Sequence, residues 1–499
     1  MTFPITLPMP VRIGFVPARR GFFSVELTGR MRQATVDVFK KLGVEVVFPS
    51  EEQTSAGCVH SVDEAETCAK LFRDADVQGI VIGCLNFGDE HSLAWVVKQA
   101  RLDVPVFLFG CQEEEVLTPT TPRRDSFCGL LSAGEALRQI GAKYSVGSRP
   151  ICFPTDESFV QDIDWFVRVC RVVHGIRTAR FGQLGMRPED FWTCRFDEKM
   201  LQKLGTTCVT SDLSEVIAST NRIDENSPEY RMAYDGMKAY CDTSNVAEIT
   251  RVRLAKLEAW IRGWVAKHHV RALGVQCWNA IQEIYGSCSC AVMSRLGNEG
   301  IPCACESDML GTLSMYALML ASERPAGLAD WNNLHNDDDD LANIWHCGVF
   351  PKAFSEGCNC GCAGSGSGCV MGIQDIIVSG GGIRPEDAGG TIYLRMTRGA
   401  LTLCRVNQVD GRWKCMIAEG EVEDNAARTF GGYGWCRIPN LQRLYRDVLM
   451  RYFTHHVAIT QNHVGNVLWE AFGNYLGMDM FHAAQDTPGL WTPRLPFGN

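Results

Sequence analysis

Read for the alternation of apolar and polar positions, the first 110 residues divide into short apolar runs separated by amphipathic stretches. Residues 11–16 form an apolar run closed by Pro17, and a helical pattern covers about 24–42. Residues 44–48 read as a strand, about 63–72 as a helix, 77–84 (VQGIVIGC) as a strand, about 90–100 as a helix and 104–109 as a strand. Near-continuous β-branched runs between helices are the pattern of parallel strands, because crossover helices bury both faces of the sheet. Ligands of such sheets lie beyond the carboxyl ends of the strands, here residues 17–21, 85–90 and 110–114.

A second alternating block starts near Ile151, with helices at 157–174 and 197–204 and strands at 180–185 and 207–211. A long charged helical region spans 228–268, followed by strand 270–277, helix 288–296, strand 302–306 and helix 309–320. From about residue 345 the texture changes to Gly/Ser clusters and period-2 runs at 391–396, 400–406 and 412–418. Asp410–Gly411 lies between two of these runs, a tight-hairpin signal. A closing helix is predicted at about 464–476. The expected fold class is α/β, with two doubly wound Rossmann-like lobes followed by a β-rich C-terminal domain. The boundaries expected are 1–150 for the N-terminal lobe, 151–340 for the second lobe and 341–499 for the β-rich domain with its closing helix. Two lobes of this kind suggest a cleft between them.

Composition narrows the function classes. The 499 residues are 46% hydrophobic and 21% charged, which is globular and excludes a disordered or collagenous chain. The net charge of −10 comes with no basic stripe, against a nucleic-acid partner. No apolar stretch is long enough to span a bilayer, so no membrane partner is expected. The N-terminus has no charged segment before its apolar part and is not a secretory signal. The 23 cysteines, odd in number and spread along the chain, then read as reduced thiols of a cytoplasmic protein.

Candidate chemistry concentrates in the second half. Glu306 ends a predicted buried strand (IPCACE), and Asp330 (ADWNN) follows after one helix and a Pro–Gly-containing break, so both carboxylates can face one point. Hard cations such as Mn²⁺ or Mg²⁺ take such ligands. The plainer reading is that Asp330 caps a turn and Glu306 or Asp308 caps a helix. His455, His456 and His463 cluster in FTHHVAITQNHVGN, with His346 in WHCG; they can complete a nitrogen/oxygen site or serve as ordinary hydrogen-bonded groups. Gln276, Trp278 and Asn279 end a predicted strand, where substrate hydroxyls would be met or a strand–helix corner packed. Arg19 and Arg20 follow the first strand and suit an anionic substituent of a ligand or a solvated basic pair. The run Asp337–Asp340 reads as a solvated charge cluster, and Cys358, Cys360, Cys362 and Cys369 as a thiol-bearing loop whose spacing suits zinc poorly. Neither a GxGxxG after the first strand nor a P-loop is present, so nucleotide chemistry has no support.

Four ordered stretches carry a resemblance: VQCWNAIQEIYGSCSC…GIPCACESDMLG over 275–311, then ADWNN, WHCGVFP and HHVAITQNHVG. Together they resemble the L-fucose/L-arabinose isomerase family, closer to L-fucose isomerase; the N-terminal part agrees in fold pattern and in pieces such as FGDEHS. The resemblance implies a Mn²⁺ ion, for which Mg²⁺ or Co²⁺ can substitute, held by Glu306, Asp330 and His456, with His463 either supporting a ligand from behind or facing the substrate. The arabinose branch has Glu at the second carboxylate and a further metal histidine near the position of His346; Asp330 matches the fucose branch. An aromatic residue that reaches a neighbouring subunit's sugar in L-fucose isomerase falls near Leu85 here, a departure that bears on the preferred sugar. The activity implied is aldose–ketose isomerisation of a small-molecule sugar through an enediol, with Glu306 and Asp330 as proton carriers, in a homo-hexamer or homo-trimer. The sugar expected is L-fucose-like, arabinose-like or a C6-modified hexose such as sulfoquinovose. The alternatives are a non-catalytic cytoplasmic sugar-binding protein and a thiol-rich metal or redox protein built on the Cys358–Cys369 loop.

Overall fold

The apolar run after residue 10 becomes strand β1, Arg12–Ala18, in a computed structural model that describes residues 10–114, 116–355, 369–373, 389–423 and 429–482. Four further strands join it: β2 (Glu45–Val47), β3 (Gly79–Cys84), β4 (Val106–Cys111) and β5 (Ser145–Cys152). They form an all-parallel sheet in the order β2-β1-β3-β4-β5. β3 and β4 are buried at every position, which is why they read as unbroken apolar runs. The intervening helices start where the sequence offers a cap: Ser24 accepts from the Leu27 amide, Ser61 from Glu64 and Asp89 from Ser92. With residues 466–477 these elements make one compact unit, covering residues 9–174. The Tyr475 hydroxyl donates to the Val106 carbonyl at 3.0 Å, and the Ser145 hydroxyl donates to Glu470 at 2.6 Å.

The other unit comprises residues 175–465 and 478–482 among those described. Its parallel sheet contains β6 (Arg180–Leu184), β7 (Thr207–Ser211), β8 (Ala272–Val275) and β9 (Cys303–Cys305), in the order β7-β6-β8-β9. Its second sheet contains β10 (Gly327–Leu334), β11 (Leu341–His346), β12 (Val370–Ile373), β13 (Gly389–Arg395), β14 (Gly399–Val409), β15 (Arg412–Glu423), β16 (Gly432–Arg437), β17 (His456–Thr460) and β18 (Asp479–His482). The pairings β16-β11-β10-β17-β14-β15 return to β16, so six of these strands close into an antiparallel barrel. The fold is thus parallel α/β followed by a β-rich barrel region. Asp410 and Gly411 have φ of 51° and 72°, as a two-residue turn joining β14 to β15 requires.

β10 and β11 arise where the sequence pattern ends the second lobe, and they were not predicted as strands. The first three residues of β10 are buried and its last three are exposed, so its apolar run is only residues 327–329 and polar side chains dominate after it. The helix Met309–Ser322 is buried along its whole length, which explains a uniformly apolar sequence with no polar face. No helix among the described residues is long and apolar enough to cross a membrane. The Cys358, Cys360 and Cys362 positions lie outside the described residues.

Candidate active site

Asp330 in β10 is registered directly opposite His456, the first residue of β17. Directly opposed residues of an antiparallel pair project from the same face, so barrel pairing alone brings this carboxylate and this imidazole together. On its other edge Asp330 is registered with Trp345 of β11, and His346 ends that strand. Glu306 arrives from the parallel sheet. After β9 the chain makes two consecutive left-handed residues, Glu306 at φ 61° and Ser307 at φ 53°. Such residues cost about 1–2 kcal/mol each. The turn is held by the Glu306 amide donating to Cys277 Sγ at 3.4 Å and the Ser307 amide to the Val275 carbonyl at 3.0 Å. Asp308 then opens the helix Met309–Ser322, accepting from the Gly311 amide at 2.8 Å.

His456 is the centre of the cluster. Its Nδ1 lies 2.8 Å from Asp308 Oδ2, and Asp308 is in turn paired with Arg405 of β14; both partners are fully buried. An ionised, Arg-paired carboxylate can only accept, so Nδ1 carries the proton and Nε2 presents its other valence to the opposite side. There Glu306 Oε2 lies at 3.1 Å and Asp330 Oδ1 at 3.6 Å. A lone pair facing two carboxylate oxygens needs a positive charge between them. In the protein alone a proton supplies it: burial works against the charged ring, but Asp308, Cys194 and Glu306 raise His456 well above the ordinary imidazole range. Burial likewise works against ionised Glu306, yet His456 holds its carboxyl below the usual value. A divalent cation fits the same place, with two carboxylates and one imidazole nitrogen whose ring is already oriented. Ligand atoms of Cys194, Glu306 and His456 lie within 4.8 Å of one another, as do those of Asp330, His346 and His456.

His346 plays a different part from His456. Its Nδ1 accepts the Cys347 amide at 2.9 Å, which in a neutral ring puts the proton on Nε2. That Nε2 is buried and, among the described residues, has no hydrogen-bond partner. Burial opposes protonation of this ring, but Cys347, Asp330 and Glu306 push it up to about 9. Neutral or charged, the ring therefore presents an N–H, a donor for an oxygen in the site, rather than a metal-binding lone pair. His455 lies beside His456 with ring centroids 4.3 Å apart, and burial together with the His456 charge lowers its affinity for a proton.

Glu306, Asp330, His346 and His455 open onto a cavity of about 190 Å³, several times the ~30 Å³ that one molecule claims in liquid water. Phe191, Trp278 and Trp345 give it aromatic walls, and Cys277, Cys290 and Cys347 give it thiols. Of the other residues proposed from sequence, Trp278 lines this cavity and packs edge-to-face on Phe191 with centroids 5.3 Å apart. Gln276 turns away to accept the Met186 amide at 2.9 Å, and the Asn279 carbonyl accepts the Gln282 amide at 2.9 Å. His463 is exposed, its Nε2 3.1 Å from the Gly420 carbonyl. Arg19 and Arg20 belong to the other compact unit.

Sequence reasoning missed three contributors: the Asp308–Arg405 pair behind His456, and Cys194 3.9 Å from its Nδ1. Arg405 had a signal, a lone charge within the apolar period-2 run LTLCRV. Cys194 had none.

The chain was also compared with known proteins. The sequence model described as "Fucose/sulfoquinovose isomerase, N-terminal domain" matches residues 14–177, and "L-fucose isomerase, C-terminal domain" matches residues 344–482. The chain is 24% identical over 423 residues to a sulfoquinovose isomerase of Alkalicoccus urumqiensis, covering 84% of this chain and 87% of that protein. It is 25% identical over 343 residues to a sulfoquinovose isomerase of Clostridium sp. (strain MSTE9), covering 68% and 72%. A periplasmic solute binding protein of Actinobacillus succinogenes with bound D-allose aligns at 11% identity over 54% of this chain and 79% of that one, with a TM-score of 0.16.

Proposed function

Because the chain belongs to the fucose isomerase-like family, with the family's N- and C-terminal models matching in order over more than half its length, we propose that it is an aldose–ketose isomerase acting on a C6-sulfonated hexose of the sulfoquinovose type. The observation that carries the chemistry is the convergence of Glu306 and Asp330 on Nε2 of His456. The choice of sugar follows the names of the relatives. Isomerisation moves a proton from C2 to C1 and one from O2 to O1, through an enediol. The C2 proton is weakly acidic, so charge developing on the two oxygens must be stabilised.

Glu306, Asp330 and His456 would hold a divalent cation, Mn²⁺ by its oxygen/nitrogen donor set, which supplies Lewis-acid stabilisation of adjacent sugar oxygens when bound. Glu306 is held ionised by His456 and stands in a largely water-excluded wall, which suits a base that accepts the carbon-bound proton and returns it to the neighbouring carbon. Asp330 faces the same point from β10 and is the partner carboxylate for the oxygen-bound proton. His346 Nε2–H donates to a sugar oxygen and supports the negative charge that grows there. Trp278, Phe191 and Trp345 exclude water around the open-chain substrate.

The test is a panel of sulfoquinovose, L-fucose, D-arabinose and L-arabinose, each with Mn²⁺ in D₂O, scored for ketose and for deuterium at carbon. Ketose from sulfoquinovose with solvent label in the product is expected. Sugar binding without any ketose would place the chain among non-catalytic binders.

A further inference from the structure

We propose that a second cation seat, built on Cys194, adjoins the one assigned to Mn²⁺ and takes a thiophilic cation of the Zn²⁺ or Cd²⁺ class. Cys194 is the last residue of a single turn, Trp192–Cys194, in the connection from β6 to the helix Glu198–Leu204. Both ends of this connection are tied down. Phe191 packs on Trp278 and His455 with ring centroids 5.3 and 6.2 Å apart, and its carbonyl accepts the Cys194 amide at 3.1 Å. Further on, the Asp197 amide donates to the Gln408 side chain of β14 at 2.6 Å, and that side chain donates back to the Asp197 carbonyl at 3.2 Å. The thiol is thereby held buried, its Sγ 4.0 Å from Glu306 Oε2 and 3.9 Å from His456 Nδ1.

The donors divide into two sets that meet at His456. Cys194, Glu306 and His456 form one group whose ligand atoms all lie within 4.8 Å of one another, and Asp330, His346 and His456 form the other. Sulfur belongs to the first set alone. A tetrahedral cation of the zinc kind sets nitrogen and carboxylate ligands about 3.4 Å apart, and thiolate and carboxylate ligands about 3.6 Å apart. Glu306 Oε2 lies 3.1 Å from His456 Nε2 and 4.0 Å from Cys194 Sγ, so both separations come within about 0.5 Å of those lengths. Asp308 holds Nδ1, which leaves Nε2 as the nitrogen both seats share. Mn²⁺ favours oxygen donors, whereas Zn²⁺ and Cd²⁺ gain from a thiolate, so the two donor sets sort the cations. Binding replaces the Cys194 proton with the metal, and that proton passes to the buffer. Because the seats share His456, a cation on Cys194 competes with one on Asp330 and thereby inhibits the Mn²⁺-dependent reaction.

The inference rests on the reading of Glu306 and His456 as cation ligands, and its test follows sulfur coordination rather than turnover. The full chain, stripped with chelator, is titrated with Cd²⁺ while near-ultraviolet absorption is followed, and with Mn²⁺ in a calorimeter. Wild type is expected to bind one Cd²⁺ per chain with a thiolate-to-cadmium charge-transfer band. Cys194→Ser should lose that band and about tenfold or more in Cd²⁺ affinity, while its Mn²⁺ affinity stays as in wild type. Asp330→Asn should do the reverse, keeping the band and binding Mn²⁺ more weakly. Cys290→Ser, a change at another thiol bordering the cavity, should keep the band as well. If Cys194→Ser fails to fold, the cadmium NMR shift of wild type decides, because it separates one sulfur ligand from a site of oxygen and nitrogen only. Mn²⁺-dependent sugar turnover with no cadmium band keeps the isomerase reading and overturns the seat. A band that needs Cys194, with no turnover of any sugar, keeps the seat and removes the isomerase reading. A band that survives Cys194→Ser, or disappears in Cys290→Ser instead, overturns the seat.

Discussion

The two faces of the His456 ring carry the same kinds of group and do opposite work. On the Nδ1 face, Asp308 is sealed from solvent and neutralised by Arg405, and the Arg405 charge with the His456 bond overcomes burial to hold its carboxyl far below the usual range. On the Nε2 face, Glu306 and Asp330 reach an open cavity, and among the described residues neither is paired with an arginine. A carboxylate satisfied by a buried guanidinium cannot take a proton or a metal without losing that pair, so Asp308 orients. A carboxylate opposed only by an imidazole can exchange that partner's proton for a cation, which is why Glu306 and Asp330 are the pair proposed to react. Pairing, more than residue type or depth, divides positioning from chemistry here.

Substitutions on the two faces should separate these roles. The largest effect is expected for Glu306→Gln, which removes a ligand charge and the proton acceptor together: kcat for the aldose should fall by about 10²–10⁴-fold, with urea unfolding little changed. Wild-type turnover in this variant would erase the distinction. Asp308→Asn should act mainly on stability, because it leaves Arg405 buried without its anion; a loss of about 3–5 kcal/mol in chemical unfolding is expected. Mn²⁺ affinity should drop about 10–100-fold in the same variant, since the ring loses the charged acceptor that fixes its tautomer. An unfolding curve matching wild type would mean that the sealed face bears no strain.

His346→Gln sharpens the contrast within the open face. As a donor to charge growing on the sugar rather than a metal ligand, its loss should lower kcat/KM about tenfold while Mn²⁺ titrations stay as in wild type. Weakened metal binding would make it a ligand after all.

The smallest effect concerns pH. In metal-free protein Glu306 has a folded pKa lowered from 4.5 and His456 one raised from 6.5. A lowered acid contributes stability above its unfolded value and loses it as pH falls through the folded one. A raised base contributes below its unfolded value and loses it as pH rises through the folded one. Their joint contribution should therefore be full between pH 4.5 and 6.5 and decline on both sides. Thermal melts across pH in chelator, with His456→Asn as the flat control, measure it. Saturating Mn²⁺ should remove the alkaline decline, because the ion replaces the proton on Nε2.

Much of the frame was legible before any coordinates. VQGIVIGC and its neighbours announced buried parallel strands because crossover helices leave them no polar face, and Asp–Gly announced the β14–β15 hairpin because both residues tolerate positive φ. Glu306 stood out as a charge ending a buried strand. Asp308 did not, because its local signature is that of a helix cap, which it also is; its bond to His456 spans 148 residues and leaves no periodic trace. The barrel was half-hidden for a related reason. The buried apolar run of β10 is only three residues long, and its exposed end adjoins the acidic run Asp337–Asp340, so its pairing with β11 shows only in three dimensions. Gln276 sat at the right strand end, but turn geometry spends its side-chain oxygen on the Met186 amide.

The most direct test of the account is Mn²⁺ titration of chelator-stripped protein while sulfoquinovose turnover is followed. Activity rising from near zero to a plateau at one ion per chain, with Asp330→Asn and His456→Asn shifting the curve to higher metal, is the predicted result. Full turnover by the stripped protein, unchanged by added Mn²⁺, would contradict it.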